Sequence, residues 1–348
     1  MATPSSSFGA LLSASLPLVI SGLISGFFSY TSVELQQYVI EMLAPYVSPS
    51  TLRFSVACTT IFFWLVLATK VNSYLSRGAE NNWVKDFYDW EEELVLITGA
   101  SSGYGERMAE MLAGRGIKVV TMNRSPSKPK IAALTNLHWY ECDITDFDRV
   151  SEVARQIRHD HGDPTVLVNN AGICSKGLIL EQSIKEIKKL MDVNLVSQWK
   201  MLQKFLPAMI KKNHGHIVSI ASIGSFINPA GLGEYTSSKH GLLALHESLR
   251  QELRHVHKAY KVRTSIINPA WTATPMIANT WEPSLRRTGT PILTTEEVVS
   301  KIVDVILSGY SQGPVVIPRY AGFVTGLRGY PAWLQEITQN YFHALEPS

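Results

Sequence analysis

Residues 94–116 read LVLITGASSGYGERMAEMLAGRG, and no other stretch restricts the fold so strongly. A short apolar run leads into three glycines, Gly99, Gly103 and Gly105, and then into a helical pattern with apolar positions at Met108, Met111 and Leu112. A plain strand-to-helix turn needs one glycine. Three of them allow a tight turn and close backbone approach, and they leave the first N–H groups of the helix and its dipole to receive a phosphate. A turn of this kind belongs to an open parallel sheet wound on both faces by helices.

The rest of the chain keeps that alternation. Strands are predicted at IKVVTMN, HWYECD, TVLVNN, HIVSIAS and VRTSIINP, with PVVIP at 314–318 as a last one. Helices are predicted over 147–159, 184–204 and 234–250, and Thr294 with Glu297 forms a capping box before VVSKIVDVIL. The pattern predicts an α/β fold, a doubly wound parallel sheet of the Rossmann type. Ligands in such sheets sit beyond the carboxyl ends of the strands, where Asn170, Ser222 and residues 268–274 fall. The second strand ends at Asn123 and Arg124, where a carboxylate would take a ribose 2′-hydroxyl. An arginine there suits a 2′-phosphate instead, with Ser125, Ser127 and Lys128 nearby in sequence, which favours NADP(H) over NAD(H).

Tyr235 and Lys239 in GEYTSSKHG are four apart, so on a helix the phenol and the ammonium lie on one face. An adjacent cation favours the phenolate and pulls a reference pKa near 10 down toward neutrality, which would poise Tyr235 for acid/base work. Ser222, thirteen residues upstream, is placed to hold a reacting oxygen. Taken alone, such a pair is also what a solvated helix face carries.

The chain has 348 residues, 45% of them hydrophobic, which is enough for one α/β domain with a surplus concentrated at the N-terminus. A net charge of +3 with no basic run interleaved with aromatics excludes a nucleic-acid partner. Cys58, Cys142 and Cys174 follow no metal or disulfide spacing, and Cys58 and Cys142 read as packing residues. The pairs His159/His161, His214/His216 and His255/His257 lack a third ligand and read as surface histidines rather than a metal site.

No charge occurs before Glu34, and residues 8–30 (FGALLSASLPLVISGLISGFFSY) would extend about 34 Å as a helix, against a hydrocarbon core of about 30 Å. A cleaved signal peptide is the competing reading, but MATPSSS offers no positive n-region. A second run at 54–69 would reach about 24 Å and either spans or forms half of a hairpin. Lys70, Arg77 and Lys85 follow it, whereas 31–50 holds no basic residue, so the large domain is expected to face the cytosol. Trp83, Phe87, Tyr88 and Trp90 read either as an interfacial aromatic cluster or as domain packing.

Over residues 92–320 the ordered motifs resemble the short-chain dehydrogenase/reductase family. The resemblance implies that the turn Thr98, Gly99, Ser101, Gly103, Tyr104 and Gly105 binds the cofactor, that Asp143 contacts adenine, and that Asn170 in NNAG, Pro269 and Thr274 complete the cofactor site. It implies Asn194, Ser222, Tyr235 and Lys239 as catalytic residues, with Tyr235 and Lys239 also on the nicotinamide ribose. Tyr104 replaces the common isoleucine and is expected to face packing rather than phosphate, and Ala270 replaces a glycine beside the nicotinamide.

The anchor and the tail VVIPRY…GYPAWLQEITQNYF are similar to the membrane-associated retinol and 17β-hydroxysteroid dehydrogenase branch. This implies NADP(H)-dependent hydride transfer on a lipophilic carbonyl or secondary alcohol, at the endoplasmic reticulum or lipid droplets, and leaves a homodimer open. The expected organisation is an anchor at 1–78, a juxtamembrane linker at 79–91, the catalytic domain at 92–320 and an amphipathic tail at 321–348 that docks on the bilayer or caps the sheet. Ile173, Phe226, Ile227, Leu232, Trp271, Met276 and Trp281 are either core or the wall of an apolar substrate site. A reductase of polyketide or terpenoid intermediates, and a catalytically silent NADP(H)-binding scaffold, are the rival readings.

Overall fold

The computed structural model describes residues 21–24, 26, 32–126, 134–278, 281–287 and 289–341. The chain divides into two units, Met1–Ala79 and Glu80–Ser348. In the first, helix α1 spans Val33–Leu43, its N-terminus capped by Ser32 Oγ, which accepts from Leu35 N at 3.3 Å. Helix α2 runs over Pro49–Glu80, ending on the first residue of the second unit. The apolar run expected at 54–69 lies wholly inside this 32-residue helix, which at 1.5 Å per residue is about 48 Å long. One 18-residue window of α2 has a mean hydropathy of 1.8 and no buried residue, so the helix is long and apolar enough to cross a membrane. Cys58 is exposed on α2 rather than packed, because α2 buries none of its residues. The run at 8–30 falls mostly outside the described residues.

The second unit is built on a sheet of seven parallel strands: β1 Leu94–Thr98, β2 Lys118–Asn123, β3 Leu137–Glu141, β4 Val166–Asn169, β5 Gly215–Ile220, β6 Val262–Pro269 and β7 Gln312–Ile317. Their order is β3-β2-β1-β4-β5-β6-β7, so the winding reverses between β1 and β4. A crevice opens at that switch point. Among the described residues its α-helices are α3 Gly103–Ala113, α4 Phe147–His161, α5 Ile184–Met191, α6 Ser197–Lys212, α7 Gly233–Gln251, α8 Pro275–Ala278, α9 Glu282–Arg287, α10 Thr295–Leu307 and α11 Ala332–Tyr341.

Strands β1, β4, β5 and β6 are buried along their whole length; β1 and β4 accordingly read as nearly continuous apolar runs, whereas β5 and β6 also bury polar residues such as His216, Arg263 and Ser265. Val95, Ile97, Val168 and Val218 face a layer formed by Met108 and Leu112 of α3 and Val298, Ile302 and Ile306 of α10. Leu96, Val120, Leu167 and Ile217 face Val153 and Ile157 of α4, Met201 and Phe205 of α6, and Leu249 of α7. Each such aliphatic side chain taken fully out of water contributes about 1.5–3 kcal/mol. The capping box of Thr294 and Glu297 opens α10 as expected, and a second one, Ser183 with Glu186, opens α5.

Residues 80–93 pack on the amino ends of the strands. Asn81 Nδ2 donates to Ser311 O at 3.2 Å and its Oδ1 accepts from Ser311 N at 2.7 Å. Fully buried Arg263 donates to Asn81 O at 3.1 Å and Val84 O at 2.7 Å. Tyr88 is buried and stacks on Trp90, while Trp83 and Phe87 are exposed, so the four aromatics divide between packing and surface. His216 is not a surface residue: it lies buried on β5 with Nε2 2.9 Å from Ser265 Oγ, and burial lowers its pKa to about 3.

His214 lies between Glu93 (3.2 Å) and Asp86 (2.8 Å). Its hydrogen bond to Glu93, and then that to Asp86, raise its pKa above the usual 6.5 against the effect of burial. A raised pKa means that the ion pairs stabilise the fold fully below pH 6.5 and are lost as pH rises through the folded-state value. The gap in melting temperature between wild type and His214→Gln is therefore expected to be widest at pH 6 and to shrink by pH 9. A gap that does not change with pH contradicts this.

Candidate active site

The carboxyl ends of β1, β2, β4, β5 and β6 enclose a cavity of ≈ 390 Å³. Its floor is the glycine turn. Gly99 and Gly103 have φ of +70° and +60°, which L side chains rarely adopt. At Gly105 a Cβ would stand 2.5 Å from Gly99 O and 2.6 Å from Asn170 Nδ2, so only a hydrogen fits. Asn170 locks the turn to β4: its Nδ2 donates to Thr98 O at 2.9 Å and Gly99 O at 3.0 Å, while Thr98 Oγ1 accepts from Asn170 N and Ala171 N, both at 3.1 Å. Ser102 precedes α3 with no side-chain cap bond, leaving the first N–H groups of the helix to an anion. A cradle made of backbone, closed to side chains and set at a helix N-terminus, fits a nucleotide diphosphate.

Arg124 and Asp143 line one end of the cavity, with Arg124 Nη1 3.9 Å from Asp143 Oδ2. Asp143 Oδ1 accepts from Thr145 N at 2.9 Å and Thr145 Oγ1 at 2.7 Å, and these bonds, together with Arg124 and Lys189, hold its carboxyl below the usual range despite burial. Ser125 also lines this end, whereas Ser127 and Lys128 lie outside the described residues.

At the other end, α7 brings up Tyr235 and Lys239. Lys239 is buried, its Nζ donating to Ile220 O at 3.0 Å and lying 5.6 Å from the Tyr235 ring centroid. Ser222, two residues beyond Ile220, stands beside the phenol: a Cβ at Gly224 would meet Ser222 Oγ at 3.4 Å and Tyr235 Cε1 at 3.6 Å, and Ser222 Oγ accepts from Gly224 N at 3.1 Å. The depression of the Tyr235 pKa expected from the sequence does not occur here. Burial dominates and raises it above 10.0, outweighing the opposing influence of the Ser222 hydroxyl, and burial lowers Lys239 to about 8. Tyr235 is thus held as a protonated acid beside an ammonium that is still mostly charged at neutral pH.

Asn194 sits in a π-helical turn, Asp192–Val196, between α5 and α6, where 184–204 was expected to be regular helix. The wider turn aims a fully buried Asn194 inward, where Nδ2 donates to Ile173 O at 2.9 Å and Ser238 Oγ at 3.1 Å, and Oδ1 accepts from Ile173 N at 2.8 Å. Ser238 Oγ in turn donates to Tyr235 O at 2.7 Å. Ser238 was missed from the sequence, as a serine within a helix carries no signal of its own. Pro269, Ala270 and Thr274 line the cavity at the end of β6, and Ala270 N donates to Ile317 O at 2.7 Å.

Among the described residues, the anticipated catalytic and cofactor-site residues meet in one cavity or directly beneath it. Of the apolar set, Phe226, Ile227, Leu232 and Trp281 are buried, Ile173 and Trp271 partly so, and Met276 is exposed. Trp281 and Leu232 pack with Ile277 and Leu285, against Tyr235, Trp271 and Cys174. The C-terminal segment caps this end, with Val324 and Leu327 buried against Phe226 and Ile227, while Phe323, Trp333 and Ile337 remain exposed.

The sequence profile described as short chain dehydrogenase matches residues 93–284. The chain belongs to the short-chain dehydrogenase family. It is 39% identical over 213 residues to dehydrogenase RED2 of Cochliobolus heterostrophus, covering 60% of this chain and 80% of that one. Epidermal retinol dehydrogenase 2 of Mus musculus is 34% identical over 245 residues, 68% of this chain and 77% of that one. A short-chain dehydrogenase structure from Streptomyces avermitilis superposes with a TM-score of 0.61 at 24% identity, covering 72% of this chain and 97% of that one, a likeness of fold. The chain is accordingly an oxidoreductase acting between CH–OH and C=O with a nicotinamide cofactor, and it is related to retinol and steroid dehydrogenases.

Because a Cβ at Gly105 has no room between Gly99 O and Asn170, Gly105→Ala is expected to destabilise the domain by about 1–3 kcal/mol and to weaken dinucleotide binding more than tenfold. Thermal melting and a binding titration check both. Unchanged affinity would show that the turn is not the phosphate cradle.

Proposed function

We propose that the chain is a membrane-anchored, NADP(H)-dependent enzyme that transfers a hydride between the nicotinamide and a lipophilic carbonyl or secondary alcohol of retinoid, steroid or fatty-chain type. The observation that carries this is the meeting of Tyr235, Ser222, Lys239 and Asn194 at one end of a cavity whose other end presents Arg124. The cofactor supplies the hydride chemistry when bound. Ser222 holds the substrate oxygen, and Tyr235, kept protonated by burial, donates its proton to that oxygen in the reductive direction. Lys239 binds the nicotinamide ribose and keeps positive charge beside the phenol. Asn194 holds the Ile173 main chain and Ser238 where a proton relay to Lys239 begins, since its Oδ1 and Lys239 Nζ both border Gly172.

Arg124 is mostly exposed at the adenosine end, free to fork onto a 2′-phosphate, which supports NADP(H). Thr98, Gly99, Ser101, Gly103 and Gly105 hold the diphosphate, Asp143 the adenine, and Asn170, Pro269 and Thr274 the nicotinamide side. An apolar substrate is supported by Trp271, Leu232 and Ile173 in the cavity lining and by the kinship with retinol and steroid dehydrogenases. The length and hydropathy of α2 support a membrane anchor, which this reading assigns to the endoplasmic reticulum or lipid droplets, and the basic residues Lys70, Arg77 and Lys85 support a cytosolic catalytic domain.

Turnover of a panel of retinoid, steroid and fatty-chain carbonyls by the full chain in membranes tests the reading. Tyr235→Phe is expected to lower kcat by about 10²–10⁴ with the dissociation constant for NADPH little changed. Arg124→Ala is expected to cost about 10–100-fold in kcat/KM with NADPH and almost nothing with NADH. Full activity of Tyr235→Phe would sink the catalytic assignment, and equal losses with both cofactors would sink the assignment of Arg124.

A further inference from the structure

Beyond β4, residues 174–179 run as a strap along residues 231–234, the turn that opens α7. Contacts alternate along the strap with the period of two that an extended chain imposes. On one side, Ser175 Oγ donates to Glu234 Oε1 at 2.6 Å, Gly177 N donates to Gly231 O at 3.2 Å, and Ile179 Cγ1 lies 3.4 Å from where a Cβ at Gly233 would stand. On the other side, Cys174 lines the active-site cavity and Lys176 Nζ stands 5.5 Å over the ring of Trp281. Cys174 and Tyr235 pack against the same buried cluster, which holds Leu232 and Trp281. The strap is therefore part of the cavity wall at the Tyr235 end.

Both ends of this segment are fixed by other means. Ile173, just before it, is held from within by Asn194, and the capping box of Ser183 and Glu186 holds the chain beyond it. Between these points the bond from Ser175 to Glu234 ties the strap to the catalytic helix. Its length of 2.6 Å falls in the range of hydroxyl-to-carboxylate bonds, which are stronger than bonds between neutral groups. Glu234 is buried in the first turn of α7, where a carboxylate complements the positive end of the helix. Its Oε2 is buried without a hydrogen-bond partner among the described residues, so the bond from Ser175 is the side-chain bond that offsets burial of this group.

We propose that Glu234 is a specificity-determining positioning residue: through Ser175 it draws the strap against α7, sets the width of the cavity between Cys174 and Tyr235, and so favours an unbranched over an α-branched carbonyl. This rests on the hydride-transfer reading of the site. Glu234 acts on the reaction through the position of Cys174.

The test uses the full chain as wild type, Ser175→Ala, Glu234→Ala and Glu234→Gln, the last of which keeps an acceptor for Ser175. One reading is the rate at which iodoacetamide alkylates Cys174, followed by peptide mass spectrometry, with buried Cys142 as the control for general loosening. Burial pushes the pKa of the Cys174 thiol up to about 12, so the wild type reacts slowly. Ser175→Ala and Glu234→Ala are expected to speed alkylation of Cys174 about tenfold and leave Cys142 unchanged, while Glu234→Gln stays within about threefold of wild type. The second reading is turnover of a straight-chain ketone and its α-branched isomer with NADPH. The two alanine variants are expected to raise KM for the straight-chain ketone about fivefold, with kcat within about twofold, and to lose most of the preference for it in kcat/KM. Unchanged alkylation of Cys174, equal acceleration at Cys142, or an intact preference between the ketones overturns the proposal. Where Glu234→Ala does not fold, Ser175→Ala is read alone in the same way. A wild type that reduces no carbonyl overturns the hydride-transfer reading and the specificity role with it, whereas alkylation that still divides the variants shows that the strap bond stands by itself.

Discussion

Lys239 donates to the main-chain carbonyl of Ile220 at 3.0 Å, and Ser225 Oγ returns a bond to Lys239 O at 3.0 Å. These two contacts staple helix α7 to the carboxyl end of β5. Ile220 is the last residue of the strand and Ser222 follows two residues later, so pinning Lys239 there also places the preceding helical turn, with Tyr235, beside Ser222. The burial that this docking imposes then decides the protonation states. The phenol loses hydration as an anion and the ammonium loses it as a cation, so the first is held protonated and the second is brought down to about 8. A site assembled in this way holds a protonated phenol, as the proposed reduction requires.

The two ends of the sheet divide the labour. At the carboxyl ends, backbone N–H groups, Asn170 and the α7 pair face a cavity. At the amino ends, Arg263 donates to Asn81 O, Asn81 accepts from Ser311 N, and His214 bridges Asp86 and Glu93. The bonds of Asn81, Arg263 and His214 at this second end tie residues 80–93 to the rest of the unit. Changes there are felt in stability and its pH dependence, whereas changes at the first end are felt in binding and turnover.

Much of this was legible in the residues. Strands β1 and β4, buried throughout, announce themselves as apolar runs, and glycines at 99, 103 and 105 have no cheaper explanation than close backbone approach. Asn194 was found only through family resemblance, because the π-turn that aims it inward has no periodicity signature. His216 and Arg263 were hidden for a different reason: strand residues at a sheet's amino end look solvated in sequence until the partner strand and residues 80–93 cover them. Cys58 erred in the opposite direction, since an apolar helix was taken to imply packing. The reversed pKa of Tyr235 was the most instructive miss. Spacing reports that a cation is near, but not that both groups are buried or that the ammonium is aimed at Ile220 O.

The balance between burial and charge at Tyr235 is the central claim, and it is open to direct measurement. Carbon-13 NMR of tyrosine Cζ in the labelled full chain without dinucleotide, with the Tyr235 signal assigned by its loss in Tyr235→Phe, follows the ionisation of this one phenol. Burial predicts that the signal stays at the protonated position up to at least pH 10, the ordinary value for the group. A signal that titrates between about pH 7 and 8 would show that Lys239 governs the phenol and would contradict the account.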